Sequence, residues 1–380
     1  MSDSLIPDVE PTTLPTPKEL EPLPDGRVGS WLATLDSGYF ALVMATGIVS
    51  IGSRLLGHDL IADILLYLTA IAWVVLLLAY TVRIIRFPRR FAAALKAPTS
   101  AVAYFTVVAG TNVLSSALIH YDIWWLLATI LGIFAFLVWL VLTYGLFSSV
   151  VLAGNHPKLR EITGGWLVWV VGTQSVAVLA TTLAPHLPWP MGANMLGSTA
   201  VMFWGVGVIL YLILVVIIFL RLFLIETTPP EMGPAYWILM GATAISVRAA
   251  AGILDLGVSE PTSLLTHMEP FVAGFAVVLW SFGSWFIPML VIFGLWRHFV
   301  RRYPAGYEPK LWSIVFPLGM YAVASVTLGR AIDFEFMQQL AAVWVWFGIA
   351  AWVIVTILLV IAFVRGLKPR APQASGPKTS

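Results

Sequence analysis

This chain of 380 residues has no cysteine and few charged residues, and both shortages exclude whole classes of protein. Without cysteine it has neither disulfide bonds nor thiol chemistry. Lys, Arg, Asp and Glu together make up 11% of the residues, whereas 59% are hydrophobic, and the mean hydropathy is +0.91. A soluble domain of this length cannot hide that much apolar surface from water, so we expect lipid to be the solvent for most of the chain.

The sequence also lacks the residue constellations that carry catalysis. It has no nucleotide-binding loop, no Gly-x-Ser-x-Gly elbow and no His/Glu cluster at metal-binding spacing. The histidines all fall at predicted span ends or in loops. We therefore predict no catalytic residue, no metal site and no cofactor. A membrane enzyme acting on lipid or on a redox cofactor is the least favoured class, because it would need buried histidines or a nucleophile with a base.

Ten continuous apolar stretches, each long enough to cross a bilayer, occupy most of the chain. Continuous rather than alternating apolar runs favour helices over a β-barrel. Short connections at Gly57-His58-Asp59 and His120-Tyr121-Asp122 are typical of helical hairpins. The sequence therefore predicts an all-α integral membrane protein with ten transmembrane helices in five hairpins, at residues 37–56, 60–82, 99–119, 123–148, 165–184, 193–221, 234–254, 267–296, 311–328 and 338–364.

The basic residues indicate an orientation. If both termini are cytoplasmic, 18 of the 21 lysines and arginines fall on the inner side, Arg54 and Arg330 fall on the outer side, and Arg248 lies within a span. The positive-inside rule favours this arrangement. We therefore expect a multi-pass protein of the cell membrane, a bacterial inner membrane, in contact with the lipid bilayer. The net charge of +2 gives no reason to expect a nucleic-acid partner.

The two ends of the chain differ in composition from the region between them. Residues 1–30 are acidic and proline-rich and lack the apolar core of a signal peptide, and residues 367–380 are rich in Pro, Ser and Lys. Such compositions are typical of disordered segments. The sequence therefore predicts disordered cytoplasmic tails over 1–30 and 367–380, on either side of one transmembrane domain over 31–366.

The odd-numbered predicted helices are rich in small and hydroxyl residues, whereas the even-numbered ones are longer and more uniformly apolar. A helix that is apolar all round faces lipid or a dry core. The simplest architecture is an inner ring of five odd helices around a central pore, with the even helices outside, although small residues also serve tight helix packing alone. The predicted pore-lining residues are Thr46, Gly47, Ser50, Gly110, Thr111, Gly172, Thr173, Gln174, Ser175, Gly241, Ser246 and Arg248.

Arg248 is the one lysine or arginine placed away from the ends of a predicted span, in the outer half of the seventh helix. Ionisable residues inside a membrane are the default functional candidates. Two interpretations stay open: the guanidinium attracts anions to the outer mouth of a pore, or it reaches the outer phosphates or pairs with Asp255, two turns along the same helix. The carboxylates all lie near interfaces, and the lack of one at mid-membrane favours passive conduction over ion-coupled transport.

The ninth predicted helix contains the segment Phe316-Pro317-Leu318-Gly319. Pro317 cannot donate a backbone hydrogen bond and clashes with the preceding turn. Gly319 adds backbone freedom. The segment therefore predicts a bend with Phe316 beside it, where an aromatic ring would plug a narrow apolar path and move aside by a rotamer change. The alternative is a phenylalanine packed against the eighth or tenth helix.

Several motifs resemble one family when they are taken in order along the chain. Ser37-Gly38-Tyr39-Phe40, Met44-Ala45-Thr46-Gly47 and Phe316-Pro317-Leu318-Gly319, on ten predicted helices, are similar to segments of the tellurite-resistance/C4-dicarboxylate transporter (TDT) family. That family includes bacterial tellurite-resistance permeases, fungal malate and sulfite transporters and plant slow-type anion channels. The resemblance covers roughly residues 31–366.

The resemblance implies a ring of five hairpins whose inner helices form an anion pore in each protomer of a homotrimer. It also implies that Phe316 occludes this pore, with Pro317 and Gly319 as part of the gate, and that pore width and a weak positive potential give selectivity. The expected function is membrane transport of small anions (chloride, nitrate, sulfite or C4-dicarboxylates). The alternative is a secondary-active exporter of dicarboxylate, sulfite or tellurite-like oxyanions.

Overall fold

The computed structural model describes residues 20–120, 125–259 and 263–364, and every regular element in these ranges is helical. Nine of the helical segments in this part of the chain are long and apolar enough, by length and composition, to cross a membrane. The all-α, membrane-spanning class predicted from the sequence is therefore confirmed. The helices are α1 (Arg27–Ala33), α2 (Ala41–Leu55), α3 (Asp59–Arg86), α4 (Pro88–Lys96), α5 (Pro98–Ala103), α6 (Phe105–His120), α7 (Trp125–Val151), α8 (Val168–Leu183), α9 (Pro190–Leu224), α10 (Ile238–Ser259), α11 (Ser263–Leu295), α12 (Trp312–Ala331) and α13 (Glu335–Val364).

The first predicted span, 37–56, is shorter in the structure. Its helix α2 has 15 residues, fewer than the roughly 20 that a helix needs to cross the hydrocarbon core. Residues 37–40 form a turn instead. There the Asp36 carboxylate accepts a hydrogen bond from the Gly38 amide (2.7 Å), and aspartate side chains compete in this way with helical hydrogen bonding.

Two further boundaries differ from the predicted spans. α3 runs on to Arg86 and is followed by α4, which the sequence reasoning missed because its nine residues are too few and too polar for a span. Phe87 separates the two helices, since a residue that precedes proline avoids the helical conformation. The third predicted span is divided at Tyr104 into α5 and α6. The predicted hairpin connection through Tyr121 and Asp122 lies outside the described residues.

The helices fall into two groups by burial. In the most apolar 18-residue stretches, 83–94% of the residues are buried in the spans that contain α6, α8, α10 and α12, against 11–39% in α3, α7, α9, α11 and α13. α2 is buried over most of its length. Each of these five buried helices contacts two others, in the cyclic order α2, α6, α8, α10, α12 and back to α2. The buried helices are the ones rich in small and hydroxyl residues.

The buried helices start at one end of the bundle and finish at the other. At their N-terminal ends, the hydroxyl groups of Tyr39 and Tyr307, in the segments before α2 and α12, share a hydrogen bond of 3.2 Å. At their C-terminal ends, Arg330 at the end of α12 donates to the carbonyl of Leu55 at the end of α2 (2.9 Å). α2 and α12 therefore run parallel. The short segments that lead into α6, α8, α10 and α12 also contact one another in turn, so all five buried helices begin at the same end, and the outer helices return the chain between them.

Ion pairs fasten the loops at the end where the buried helices begin, which we call the basic end. Arg221 at the end of α9 is fully buried and donates to one oxygen of Glu231 (3.1 Å), and Arg160 donates to the other oxygen (2.6 Å). Arg297, after α11, pairs with Glu308 in the same way (3.1 Å). Because Glu231 and Glu308 precede α10 and α12, these pairs fix the entry of the chain into two buried helices.

The predicted N-terminal tail is described from residue 20 onward. The Glu21 carboxylate accepts hydrogen bonds from the amides of Arg89 and Arg90 (2.8 and 3.1 Å), in the first turn of α4. An acidic group at the N-terminus of a helix is favourable because it meets unpaired amides and the positive end of the helix dipole. Residues 1–19 and the predicted tail over 367–380 lie outside the described residues, so the domain limits stay predictions.

Candidate functional site

The buried helices enclose a small cavity, which we call the inner cavity. Its volume is about 20 Å³, room for about one water molecule. Side chains from all five buried helices line it, so it lies on the common axis of these helices. The lining residues are Ile48 and Ile51 from α2, Asn112, Val113, Ser116 and His120 from α6, Ser175 and Val178 from α8, Ile245 and Arg248 from α10, and Met320 and Val323 from α12.

A larger cavity, which we call the vestibule, lies at the end of the bundle opposite the basic end. Its volume is about 330 Å³. The ends of α6, α8 and α10 supply its walls, through Ile119, His120, Thr181, Thr182, Pro185, His186, Arg248, Gly252, Asp255 and Leu256. His120 and Arg248 line both cavities. These two side chains therefore stand where the vestibule meets the inner cavity.

The inner cavity has a polar side and an apolar side, since α2 and α12 contribute only apolar side chains. On the polar side, Asn112 donates from Nδ2 to Ser175 Oγ (2.9 Å), and Ser175 donates to the Gly172 carbonyl (2.6 Å). Asn112 Oδ1 and Ser116 Oγ are buried without a hydrogen-bond partner. Buried polar atoms normally have a partner, so these two atoms mark a place suited to a polar solute.

Arg248 lies in the wall between the two cavities. Its side chain is 7% exposed, and its Nη1 is buried without a hydrogen-bond partner. The guanidinium runs along α10 toward Gly252, where an added Cβ would come within 2.9 Å of Nη1. Among the described lining residues of both cavities, Arg248 is the single lysine or arginine. The structure therefore places this side chain in the cavity wall and not at the outer surface. Asp255, which the second interpretation made its partner, lines the same vestibule and attracts the guanidinium electrostatically.

Phe316 lies one helical turn from Met320 on α12, on the basic side of the inner cavity. Residues 316, 320 and 323 share one helical face, and Met320 and Val323 line the cavity. The Phe316 ring is fully buried. It faces Gly241 of α10, where an added Cβ would lie 3.4 Å from Phe316 Cε1 and 2.8 Å from Pro317 Cγ. The Phe316 ring therefore lies directly beyond the inner cavity, on its side toward the basic end.

Three predicted pore-lining hydroxyls point toward outer helices. Thr46, Thr111 and Thr173 each accept a hydrogen bond from a tryptophan indole. The donors are Trp352 of α13 at 3.0 Å, Trp73 of α3 at 2.9 Å and Trp139 of α7 at 2.9 Å. These hydroxyls therefore pair helices together and do not line the inner cavity.

Three more predicted polar residues are engaged with backbone. Ser50 donates to the Ala62 carbonyl of α3 (2.7 Å), and Gln174 donates to the Trp204 carbonyl of α9 (3.2 Å). Ser246 donates within its own helix to the Ala242 carbonyl (2.7 Å). Each of these six side chains makes at least one hydrogen bond inside the protein, as groups within a bilayer must. Gln174 Oε1 is the exception among their atoms, since it is buried without a hydrogen-bond partner.

The predicted glycines lie where helices approach closely. Added Cβ atoms at Gly47, Gly110, Gly172, Gly241 and Gly319 would come within 2.6 to 3.3 Å of Val113, Phe40, Phe105, Pro317 and Ile48, respectively. Contacts this short leave no room for a larger side chain. The glycines therefore serve helix packing, the alternative that the sequence reasoning had also considered.

Ser175 and Arg248 are the two predicted pore-lining residues that line the inner cavity. The sequence reasoning missed Asn112, Ser116 and His120 as lining residues. A usable signal was present, because residues 112, 116 and 120 repeat at a spacing of four and so share one face of α6. The apolar lining from α2 and α12 had no such signal.

The chain is similar over most of its length to one known protein family. The family model described as SLAC1, voltage-dependent anion channel, matches residues 34–360. An uncharacterised membrane protein of Mycobacterium tuberculosis is 39% identical over 158 residues, which are 41% of this chain and 79% of the relative. An uncharacterised transporter of Methanocaldococcus jannaschii is 25% identical over 342 residues (86% and 94%). A sulfite efflux pump of Arthroderma otae is 23% identical over 367 residues (88% and 92%).

Proposed function

We propose, from the premise that this chain belongs to the SLAC1 family of voltage-dependent anion channels, that it conducts small anions passively along the axis of its five buried helices. The family and the relative named as a sulfite efflux pump support anion transport rather than catalysis. One observation carries the proposed path. The buried helices contact one another in a closed cycle, and each contributes side chains to the inner cavity.

In this proposal the ten helices α2, α3, α6, α7, α8, α9, α10, α11, α12 and α13 form five hairpins. The buried members make a ring around the pore, and the outer members shield it. The basic end faces the cytoplasm and the vestibule opens outward, in agreement with the positive-inside rule. The large apolar side chains exposed on the outer helices, such as Tyr67, Ile130 and Val278, face lipid or neighbouring protomers of a homotrimer in the cell membrane.

Phe316 is the gate in this proposal. Its ring is fully buried one turn beyond the inner cavity, so it blocks the way from that cavity to the basic end. Gly241 opposite has no side chain, and Pro317 interrupts the hydrogen bonding of α12 beside the ring. A rotamer change of Phe316 would therefore open the path without moving a helix.

Passive conduction is favoured over coupled export by the lining of the path. Among the described lining residues of the inner cavity there is no carboxylate, and Asp255 stands in the vestibule. A proton- or sodium-coupled carrier usually needs a titrating or coordinating group deep in the membrane. His120 is the single histidine among the described lining residues of the inner cavity, and a proton-coupled oxyanion exporter that uses it is the second candidate.

The two candidates are separated by flux measurements on purified protein in liposomes. The membrane potential is set with potassium and valinomycin, and release of chloride, nitrate, sulfite or malate is followed with and without a proton ionophore. We expect the flux of at least one of these anions to follow its own electrochemical gradient and to ignore the ionophore. A flux that requires a proton gradient would identify the exporter. No flux of any tested anion above protein-free liposomes would overturn both.

A further inference from the structure

We infer that Arg248, Ser116 and Asn112 form a binding site for a singly charged oxyanion that carries one hydroxyl group, of the hydrogencarbonate or hydrogensulfite type. The site lies where the vestibule meets the inner cavity. This inference rests on the proposed function and narrows it. It differs from selection by pore width and a weak positive potential, which the family resemblance implies.

The donors of the site are Arg248 Nη1 and Ser116 Oγ. Both atoms are buried, both lack a hydrogen-bond partner, and both residues line the inner cavity. Arg248 is 7% exposed and Ser116 is 3% exposed. A buried guanidinium whose Nη1 has no hydrogen-bond partner is costly, because the attraction of Asp255 does not replace the hydrogen bonds to water that this atom has lost. A bound anion would supply the missing partner to both donors, and a guanidinium suits an oxyanion because its N–H groups match two oxygens.

The acceptor of the site is Asn112 Oδ1. Ser175 gives its hydroxyl hydrogen to the Gly172 carbonyl, so toward Asn112 it acts only as an acceptor. The Asn112 amide must therefore present Nδ2 to Ser175, which leaves Oδ1 free of any partner. An acceptor of this kind repels a bare anion but pairs with a hydroxyl group. Two donors and one acceptor match an oxyanion that has lone pairs on two oxygens and a proton on a third.

The charge and size of the site limit the solute further. Arg248 is the single lysine or arginine among the described lining residues, so a second negative charge would stay unpaired, and Asp255 in the vestibule adds repulsion. The inner cavity of about 20 Å³ has apolar walls from Ile48, Ile51 and Met320. An oxyanion of four heavy atoms is larger than this space, so it would occupy the junction and extend into the vestibule of about 330 Å³. The single positive charge of the site therefore selects against dianions such as malate and sulfate.

The test is calorimetric titration of the purified full-length protein with sodium hydrogencarbonate and, separately, with nitrate, at fixed ionic strength and mildly alkaline pH. Nitrate is the matched probe, since it has the same planar shape and charge but no hydroxyl. We expect hydrogencarbonate to bind about tenfold more tightly, which corresponds to about 1.4 kcal/mol for one buried hydrogen bond. Asn112→Leu should abolish this preference, and Arg248→Gln should remove binding of both anions.

Ser116→Ala and Ser115→Ala form the matched pair of controls. Ser115 Oγ donates to the Thr111 carbonyl and does not line the inner cavity, so its loss should leave both affinities unchanged. Ser116→Ala should weaken both anions several-fold while preserving the fold, because Ser116 Oγ has no partner to lose. These two variants, together with the comparison of the two anions in the wild type, test the binding site even if Asn112→Leu or Arg248→Gln does not fold.

Equal affinities for hydrogencarbonate and nitrate in the wild type, or unchanged binding in Ser116→Ala, would overturn the site. The outcome is separable from that of the proposed function. If the protein binds hydrogencarbonate selectively but passes no anion in liposomes, the binding site is supported and the proposed channel is overturned. If the protein conducts anions but binds hydrogencarbonate and nitrate with equal affinity, the proposed channel is supported and the binding site is overturned.

Discussion

Trp352 on α13 donates from its indole Nε1 to Thr46 Oγ1 on α2, joining the last helix of the bundle to its first buried helix at 3.0 Å. A tryptophan from each of the five outer helices donates a hydrogen bond to the buried helix of the next hairpin. These five hydrogen bonds therefore link neighbouring hairpins all the way around the bundle, and the Trp352 bond links the last hairpin to the first. The other four pairs are Trp73 with Thr111, Trp139 with Thr173, Trp204 with the Ser246 carbonyl, and Trp280 with Ser325.

The Trp352–Thr46 bond should contribute measurably to stability. Hydrogen bonds between transmembrane helices couple by about 0.6 kcal/mol on average and by at most about 1.7. We expect Trp352→Phe, Thr46→Val and the double variant to give a coupling free energy of about 1 kcal/mol in the same range. The free energy of unfolding in bicelles measures it. Trp346→Phe is the control, since Trp346 is exposed on the same helix, and a coupling energy near zero for the Trp352–Thr46 cycle would refute the role.

Glu231 should be essential because it pairs with the fully buried Arg221. Loss of one partner leaves the other as an uncompensated buried charge, which costs about 3 kcal/mol or more. We therefore expect Glu231→Ala to lower the thermal unfolding midpoint strongly in detergent. Glu226→Ala is the control in the same loop, where the side chain is exposed, and its midpoint should match the wild type. Equal midpoints for the two variants would show that Arg221 does not depend on Glu231.

The same carboxylate predicts a dependence of stability on pH. Partial burial opposes ionisation of Glu231, but the hydrogen bonds from Arg160 and the Thr228 amide outweigh it and lower the pKa of the carboxyl. A lowered pKa in the folded state stabilises the protein above the carboxyl pKa of the unfolded chain, and this contribution is lost as pH falls through the folded-state value. The stability difference between wild type and Glu231→Gln should therefore stay constant from neutral pH down to the usual carboxyl range and shrink below it. If the stability difference between wild type and Glu231→Gln grows as the pH falls, the pKa of Glu231 is not lowered in the folded protein.

Gly348 should be indispensable for the packing of α13 on α12. An added Cβ at Gly348 would lie 3.3 Å from both Cα and N of Gly319, which are backbone atoms and cannot move aside. We expect Gly348→Leu to destabilise the protein by about 1–3 kcal/mol, as overpacking does. Gly205→Leu on α9 is the matched control, since nothing lies within 4 Å of its added Cβ. Chemical denaturation in detergent measures the free energy of unfolding of both variants. Equal values would show that α12 and α13 can move apart to accommodate the side chain.

The sequence indicated which helices are buried but not which side of each faces the axis. The composition of a helix gives the number of its hydroxyl groups but not its rotation about its own axis, which decides where these groups point. Thr111 and Asn112 are neighbours on α6, yet Thr111 bonds to Trp73 of an outer helix and Asn112 lines the inner cavity. The partner that decides between them is a distant tryptophan, which no local pattern identifies.

Local sequence did locate the proline inside α12 and the buried arginine of α10. Pro317 lies inside α12 as expected, and Arg248 stood out as the one lysine or arginine away from the ends of a predicted span. The contacts of Pro317 depend on a residue of another hairpin, and those of Arg248 depend on a residue one turn along the same helix. Gly241 lies against Pro317, and Gly252 leaves the space along which the guanidinium runs. Glycines at such positions are visible in the sequence, but their partners are fixed only by the tertiary structure.

The conductance of Phe316→Ala in planar bilayers tests the proposed gate most directly. Removal of the ring should raise the anion current about tenfold or more, equivalent to a barrier lower by about 1.4 kcal/mol. Phe286→Ala is the control, since Phe286 is equally buried but stacks on Phe219 between outer helices, and its current should equal that of the wild type. Currents through Phe316→Ala no larger than those of the wild type, from protein that remains folded, would contradict gating by this residue.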